Sequence, residues 1–223
     1  MVNRIALCLS LLLIGVAARA EEGVWQSMGT QEGIALAFKD VPGSKVIAFR
    51  GDGVIDAPIA TVAAVLLDQK RAPEWVDRLS GRKVIRIVNP TEYVELNHFK
   101  MPPLLNDREF VADAKMSLDP SARSFTVVFH SIEDAAVPEN KFVRGSVDSV
   151  FVMTSLDNGR RTRMQAEMHA DPKGALPKFL VNFFQRSWPF DAFQSIRRQV
   201  AKKDIQRPVE FAAVLAQVEE LAR

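Results

Sequence analysis

Much of the chain alternates apolar and polar residues with period two, and three stretches switch to helical spacing. After Trp25, "GIALAF" (33–38) and "KVIAFRGDGVID" (45–56) are predicted as strands separated by the turn "DVPGS". In the second, Ile47, Phe49, Gly51, Gly53 and Ile55 share one face, while Arg50 and Asp52 take the other, as expected where one face meets water. The two glycines on the inner face leave room for something to approach closely. "APIATVAAVLLDQKRAPEWV" (57–76) has its apolar residues at helical spacing and predicts a helix followed by a short second one. Asp56 is placed to cap it, with Pro58 in its first turn.

Six more runs are predicted as strands: "RKVIRIV", "EYVELNHF", "REFVADAKMSL", "SFTVVFHSI", "SVFVMTSL" and "RTRMQAEMH". The short turns between most of them, "NPTE", "DPSA" and "DNG", predict an antiparallel meander. In "REFVADAKMSL", Phe110, Ala112, Ala114, Met116 and Leu118 oppose Glu109, Val111, Asp113, Lys115 and Ser117. In "RTRMQAEMH", Met164, Ala166 and Met168 oppose Arg163, Gln165, Glu167 and His169. The apolar face mixes Gly and Ala with Met, whose flexible thioether adapts to irregular shapes.

Helical spacing returns from Leu176 to Lys203, a single predicted helix of roughly 40 Å at 1.5 Å per residue, long enough to cross a curved sheet. Pro177 suits its first turn and Pro189 should kink it. Leu176, Phe179, Leu180, Phe183 and Phe184 form an aromatic-rich stripe, continued by Phe193, Ile196 and Val200. Such a stripe fits a packed core and fits one wall of a ligand chamber. The Gly, Ala and Met residues of the opposing wall favour the chamber. After Pro208, "PVEFAAVLAQVEELAR" predicts a separate amphipathic helix.

Composition narrows the function. Residues 1–20 have the form of a cleaved secretory signal: Arg4, an apolar run from Ile5 to Ala18, and Ala18-Arg19-Ala20 before Glu21. The run is too short to span a bilayer. Without Arg4 and Arg19, the remaining 27 basic residues match 27 acidic ones, and the only cysteine, Cys8, is lost with the signal. About 200 residues suffice for one core without disulfides. Zero net charge without a long basic run argues against nucleic acid and gives no support to an electrostatic membrane anchor. His98, His130 and His169 lack metal-ligand spacing, and no nucleophile elbow or phosphate-binding glycine loop is present, so no metal or cofactor is expected.

Five segments in order resemble one family. "MPPLLNDREFV" (101–111) and "HADPKGALPKFLVNFFQRSWPF" (169–190) are similar to the motifs of the START domain, the lipid-transfer domain related to the steroidogenic acute regulatory protein. "GIALAFKDVPGSKVIAFRGDGVIDAP" (33–58), "LLDQKRAPEWV" (66–76) and "DNGRRTRMQAEMHADP" (157–172) support the likeness. The resemblance implies an α+β helix-grip fold, a curved antiparallel β-sheet wrapped around a long C-terminal helix with an internal hydrophobic tunnel. It implies a monomer that binds one lipid, sterol or similar apolar small molecule without catalysis, with residues around 171–176 and the following helix as a lid, and with transient membrane contact. Phe151 stands where many relatives have Trp, and the signal and C-terminal helix lie outside the family pattern.

The expected organisation is thus a signal (1–20), a START-like domain (21–205) and a helical extension (206–223), exported across an inner membrane to the periplasm. The expected lining is Phe110, Ala112, Phe151, Met153, Met164, Ala166, Met168, Phe179 and Phe183. Arg108 is a candidate for a ligand's polar group or for a structural ion pair, and His98 for a tunnel-facing residue or a core one. Two other readings stay open: an enzyme of the wider helix-grip superfamily, a cyclase, aromatase or hydrolase, and an interaction module docking through residues 209–222.

Overall fold

The computed structural model describes residues 23–138 and 140–222, so the signal expected over 1–20 lies outside the described residues. Ten strands form one sheet: β1 (Gln26–Gln31), β2 (Ile34–Lys39), β3 (Ala48–Ile55), β4 (Leu79–Asn89), β5 (Glu92–Phe99), β6 (Arg108–Asp119), β7 (Ser124–Ser131), β8 (Val143–Arg144), β9 (Ser146–Leu156) and β10 (Arg161–Asp171). Their order is β1-β2-β3-β10-β9-β7-β6-β5-β4, antiparallel throughout, and two-residue β8 runs parallel to β6. The sheet is therefore two antiparallel runs joined where β10 pairs with β3, Ala166 opposite Gly51. β1, "QSMGTQ", is an exposed edge strand whose polar residues carry no alternation to announce it.

Helix α1 (Ile59–Leu67) is buried almost all round. Its N-cap is Pro58 without a side-chain cap bond, so Asp56 does not cap it; Ala72–Glu74 forms a short 3-10 turn after it. The predicted long helix is two: α2 (Lys178–Gln185) and α3 (Trp188–Val200), broken at Arg186 and Ser187. Pro189 causes the break, because it has no N–H to bond the carbonyl of Gln185 and its ring crowds the preceding turn, while it suits a new helix's first turn. Pro177 likewise is the N-cap of α2 rather than inside it. The last helix, α4 (Ala212–Glu220), packs against α1.

α3 is what the sheet grips. Phe193 and Ile196 are buried against it, and Arg197 donates to the carbonyls of Val54 (2.9 Å) and Glu32 (3.2 Å). The space that Gly51 and Gly53 leave is filled from within the chain: a Cβ at Gly53 would lie 3.1 Å from both Phe193 Cε1 and Ile34 Cγ1. No helix among the described residues is long and apolar enough to cross a membrane.

Candidate functional site

Cross-strand partners share a face, so the register of β4, β5 and β6 fixes what points inward. Arg82 pairs with Asn97, Asn97 with Phe110, Glu95 with Ala112, and Tyr93 with Ala114. Ala112 and Ala114 belong to the main core, so Tyr93, Glu95 and Asn97 face inward too, beside Arg82. Arg82, Glu95 and Asn97 thus stand among Phe110, Ala112 and Ala114 on the inner face.

They form a chain of contacts. Arg82 Nε donates to Asn97 Oδ1 at 2.6 Å, and Asn97 Nδ2 donates to Glu95 Oε1 at 2.7 Å. Arg82 Nε lies 3.8 Å from Glu95 Oε1, and the Glu95 side chain is 2% exposed. The chain leaves atoms over: Arg82 Nη1 and Glu95 Oε2 are buried with no hydrogen-bond partner among the described residues, and so are Gln69 Oε1 and Trp75 Nε1 nearby in α1's exit and the turn after it. Gln69 Nε2 donates to the Tyr93 hydroxyl at 3.4 Å. Burial, and then the negative charge of Glu95, push the Tyr93 phenol well above its ordinary pKa. Buried donors and acceptors without partners are costly and rare in folded proteins, which sets this part of the inner face apart.

Arg108 also faces inward, 3% exposed at the opposite end of β6 from the β6–β7 turn. Its guanidinium donates to carbonyls: Asn106, and Pro172 and Lys173 at 3.3 Å each. Burial lowers its pKa from the ordinary value. It ties the loop before α2 to the loop before β6, rather than forming the edge ion pair that was its alternative role. Asp171 in the same loop receives the Lys178 ammonium and the Lys173 N–H. Burial pushes the Asp171 carboxyl up, but those two contacts outweigh it and hold the carboxyl below its usual range.

α2 rests on this end of the sheet by polar contacts. Asn182 accepts from the Ile47 N–H and donates to the Lys45 carbonyl, both at 3.1 Å, and Gln185 donates to the Ala170 carbonyl at 2.8 Å. Only Val181 of α2 is buried. Phe179 and Phe183, expected in the lining, are each 70% exposed, and Phe184 is 69% exposed. The α2 stripe turns outward because Val181 and Asn182 take the face toward the sheet. Leu104 and Leu105, in the loop that Arg108 ties to this end, are exposed as well.

The other expected lining residues lie inside, in two settings. Phe110 and Phe151 are buried; Phe110 meets Phe99 edge-on at 5.5 Å, and Phe151 meets Phe129 edge-on at 6.1 Å and Trp188 of α3 at 6.4 Å. Met168 is half-buried on the same face. Ala112, Met153, Met164 and Ala166 are fully buried core, with Met164 and Ala166 opposite Gly53 and Gly51 where Phe193 fills the space.

His98 points the other way. Val94, Leu96 and His98 occupy the outer face of β5, where Val94 and Leu96 pack in a second small core with Val111, Ile132 and Val137. His98 Nε2 is 3.3 Å from Glu109 Oε2. Glu109 is fully buried, and although burial opposes its charge, bonds from Asn140, Arg144 and His98 hold its carboxyl below the usual range. This cluster pins the segment that covers the outer face. His169 Nε2 lies 3.1 Å from both the Ser44 hydroxyl and the Val46 carbonyl oxygen. A carbonyl only accepts, so that nitrogen carries the ring proton and is not available to activate Ser44.

The same grip of sheet around helix occurs in solved structures. Human StAR-related lipid transfer protein 5 superposes with a TM-score of 0.72 at 19% identity, over 82% of this chain and 88% of that one. A STAR-related lipid transfer protein from Xanthomonas axonopodis superposes with a TM-score of 0.70 at 22% identity, over 80% of this chain and 99% of that one. At these identities the likeness concerns the fold alone. An uncharacterized protein of Pseudomonas aeruginosa is 24% identical over 87% of this chain and 96% of its own length. The family model described as START domain matches residues 16–203, most of the chain. The protein is a member of the START domain family.

Proposed function

We propose that the protein binds one lipid-like molecule non-covalently between the inner face of the sheet and helices α2 and α3, and passes it to or from a membrane. The observation that carries this reading is the buried Arg82–Asn97–Glu95 chain, with its unpartnered Nη1 and Oε2 atoms on an apolar wall. A polar end of an apolar ligand satisfies both atoms, while its body takes the place of side-chain contacts along Phe110, Phe151 and Met168. Arg82 and Glu95 offer a donor and an acceptor together, which suits a hydroxyl-bearing end better than a bare anion.

α2 serves as the cover. It is held by a few hydrogen bonds and one buried apolar side chain, so lifting it sacrifices little core. The outward Phe179, Phe183 and Phe184, together with Leu104, form an apolar surface at the same end, and such patches mark interaction sites. A bilayer is the partner that both receives these aromatic rings and supplies the ligand. Unaided lipid desorption costs about 0.8 kcal/mol per CH₂, and a chamber that opens against the bilayer avoids that exposure to water.

The enzyme reading finds no converging nucleophile and base on the inner face among the described residues. The interaction-module reading rested on an exposed stripe over 209–222, but Phe211, Val214, Leu215, Val218 and Leu221 are buried. Transfer of a fluorescent phospholipid or sterol between donor and acceptor vesicles tests the proposal. The chain beginning at Glu21 should accelerate transfer in proportion to its concentration; a rate equal to the protein-free rate for every lipid contradicts it.

A further inference from the structure

The family match ends at Lys203, but the chain goes on to build part of the interior. It turns at Pro208, forms a 3-10 turn at Val209–Phe211 and continues as α4 back across α1. Phe211, Val214, Leu215 and Val218 are all nearly completely buried. The Phe211 ring lies 4.8 Å from the Tyr93 ring, and Tyr93 is the inward neighbour of Glu95 along β5.

Two hairpin turns are shaped to receive the end of this segment. In the β6–β7 turn, Arg123 donates to the carbonyls of Leu221 and Ala222 at 3.0 Å each. In the β9–β10 turn, Gly159 has a φ of +83°, and a Cβ there would lie 2.6 Å from the Ala222 carbonyl oxygen. Both turns lie at the end of the strands opposite to α2, which sits by Ile47 and Ala170. Arg71 adds a tie to the start of the segment through the Asp204 carbonyl at 2.7 Å.

Resting on the ligand-binding reading above, we infer that residues 205–222 are the floor of the ligand chamber and that Phe211, acting through Tyr93, sets how long a ligand the chamber admits. The lid at one end and this floor at the other make the chamber blind. The Tyr93 ring cannot drop away from Glu95 while Phe211 stands behind it. Removing the Phe211 side chain leaves an apolar void of the kind that stays dry and takes up apolar groups, and Tyr93 can move into it. Because Glu95 lies next to Tyr93, a deeper floor lets the hydroxyl end sit lower and frees the same length for the tail below the lid.

The test is a series of straight-chain alkan-1-ols of increasing length, with binding followed by native mass spectrometry and calorimetry on the full chain from Glu21. In the native protein, affinity should rise roughly fourfold per methylene, the value for complete burial, until a cutoff length. Phe211→Ala should move the cutoff up by about two carbons, in keeping with the volume freed. Phe211→Leu frees less volume and should move it by less, and it serves where Phe211→Ala does not fold. Val111→Ala, which loses volume in the small core on the outer face of the sheet, should lower stability and leave the cutoff unchanged. A native cutoff that neither Phe211 variant shifts overturns the floor while leaving ligand binding intact. If no alcohol binds the native protein at any length, the chamber and its floor fall together.

Discussion

Phe193 occupies the volume that a side chain at position 51 would need: a Cβ on Gly51 would lie 2.9 Å from Phe193 Cε2 and 3.2 Å from Pro189 Cβ. The glycine is there for helix α3, not for a ligand. Gly51→Ala should therefore destabilise the fold by about 1–3 kcal/mol, as overpacking does, although Ala is ordinarily the better strand residue. Denaturant unfolding measures this. Combining it with Phe193→Leu should recover part of the loss, and strict additivity of the two would contradict the contact.

Arg82 and Glu95 should behave as a buried pair. Arg82→Met alone leaves a buried carboxylate without its counter-charge and should cost about 3–5 kcal/mol. Arg82→Met with Glu95→Leu removes both charges and should be far closer to native stability. The double variant should nevertheless lose lipid transfer. A folded double variant that transfers lipid at the native rate would move the anchor elsewhere.

The exposed rings of α2 should matter to membranes and not to the fold. Phe179→Ser with Phe183→Ser should change stability by no more than about 0.5 kcal/mol per site, since surface substitutions seldom do more. Sedimentation with vesicles should fall several-fold. Loss of stability with unchanged vesicle binding would mean that these rings pack inward in solution.

Acid should loosen the lid. The folded-state pKa of Asp171 is depressed, so its contact with Lys178 stabilises the fold above the ordinary carboxylate value of about 4 and is lost as the pH falls through the lower folded value. Hydrogen exchange of residues 171–185, corrected for the intrinsic pH dependence of exchange, should show lower protection below that range. Asp171→Asn should give weak protection at neutral pH and remove the acid-dependent step attributable to this group. An unchanged acid-dependent step in that variant would assign it to another carboxylate depressed beside a cation, such as Glu109, Glu74 or Asp134.

Alternation reads well where one face meets water. In β6 from Phe110 onward and in β10 the inner and outer residues follow directly from the pattern, because charge marks the outside. β5 defeats this logic. Both of its faces are buried, and the more apolar one, Val94 and Leu96, lies outside under residues 132–138, while Tyr93, Glu95 and Asn97 face in. The Arg82–Asn97–Glu95 chain was invisible in the sequence because a charged residue inside breaks the pattern that sequence reading relies on.

Helical periodicity had a similar limit. It identified an apolar stripe on 176–184 but not what the stripe faces, and the structure turns Phe179 and Phe183 outward. Pro189 was legible as a disturbance, yet the hydrogen bond it cannot make to Gln185 breaks the helix outright instead of kinking it. The docking of α4 was not legible either, since it depends on Tyr93 and Arg123, which are distant in the chain.

The most direct measurement is native mass spectrometry of the chain from Glu21, purified without detergent and then incubated with vesicles of mixed phospholipids and sterols. One apolar molecule per chain should be retained by the native protein and lost from the Arg82→Met, Glu95→Leu double variant, provided that circular dichroism shows the variant folded. An unliganded native protein, or equal retention by both, would contradict a chamber anchored on Arg82 and Glu95.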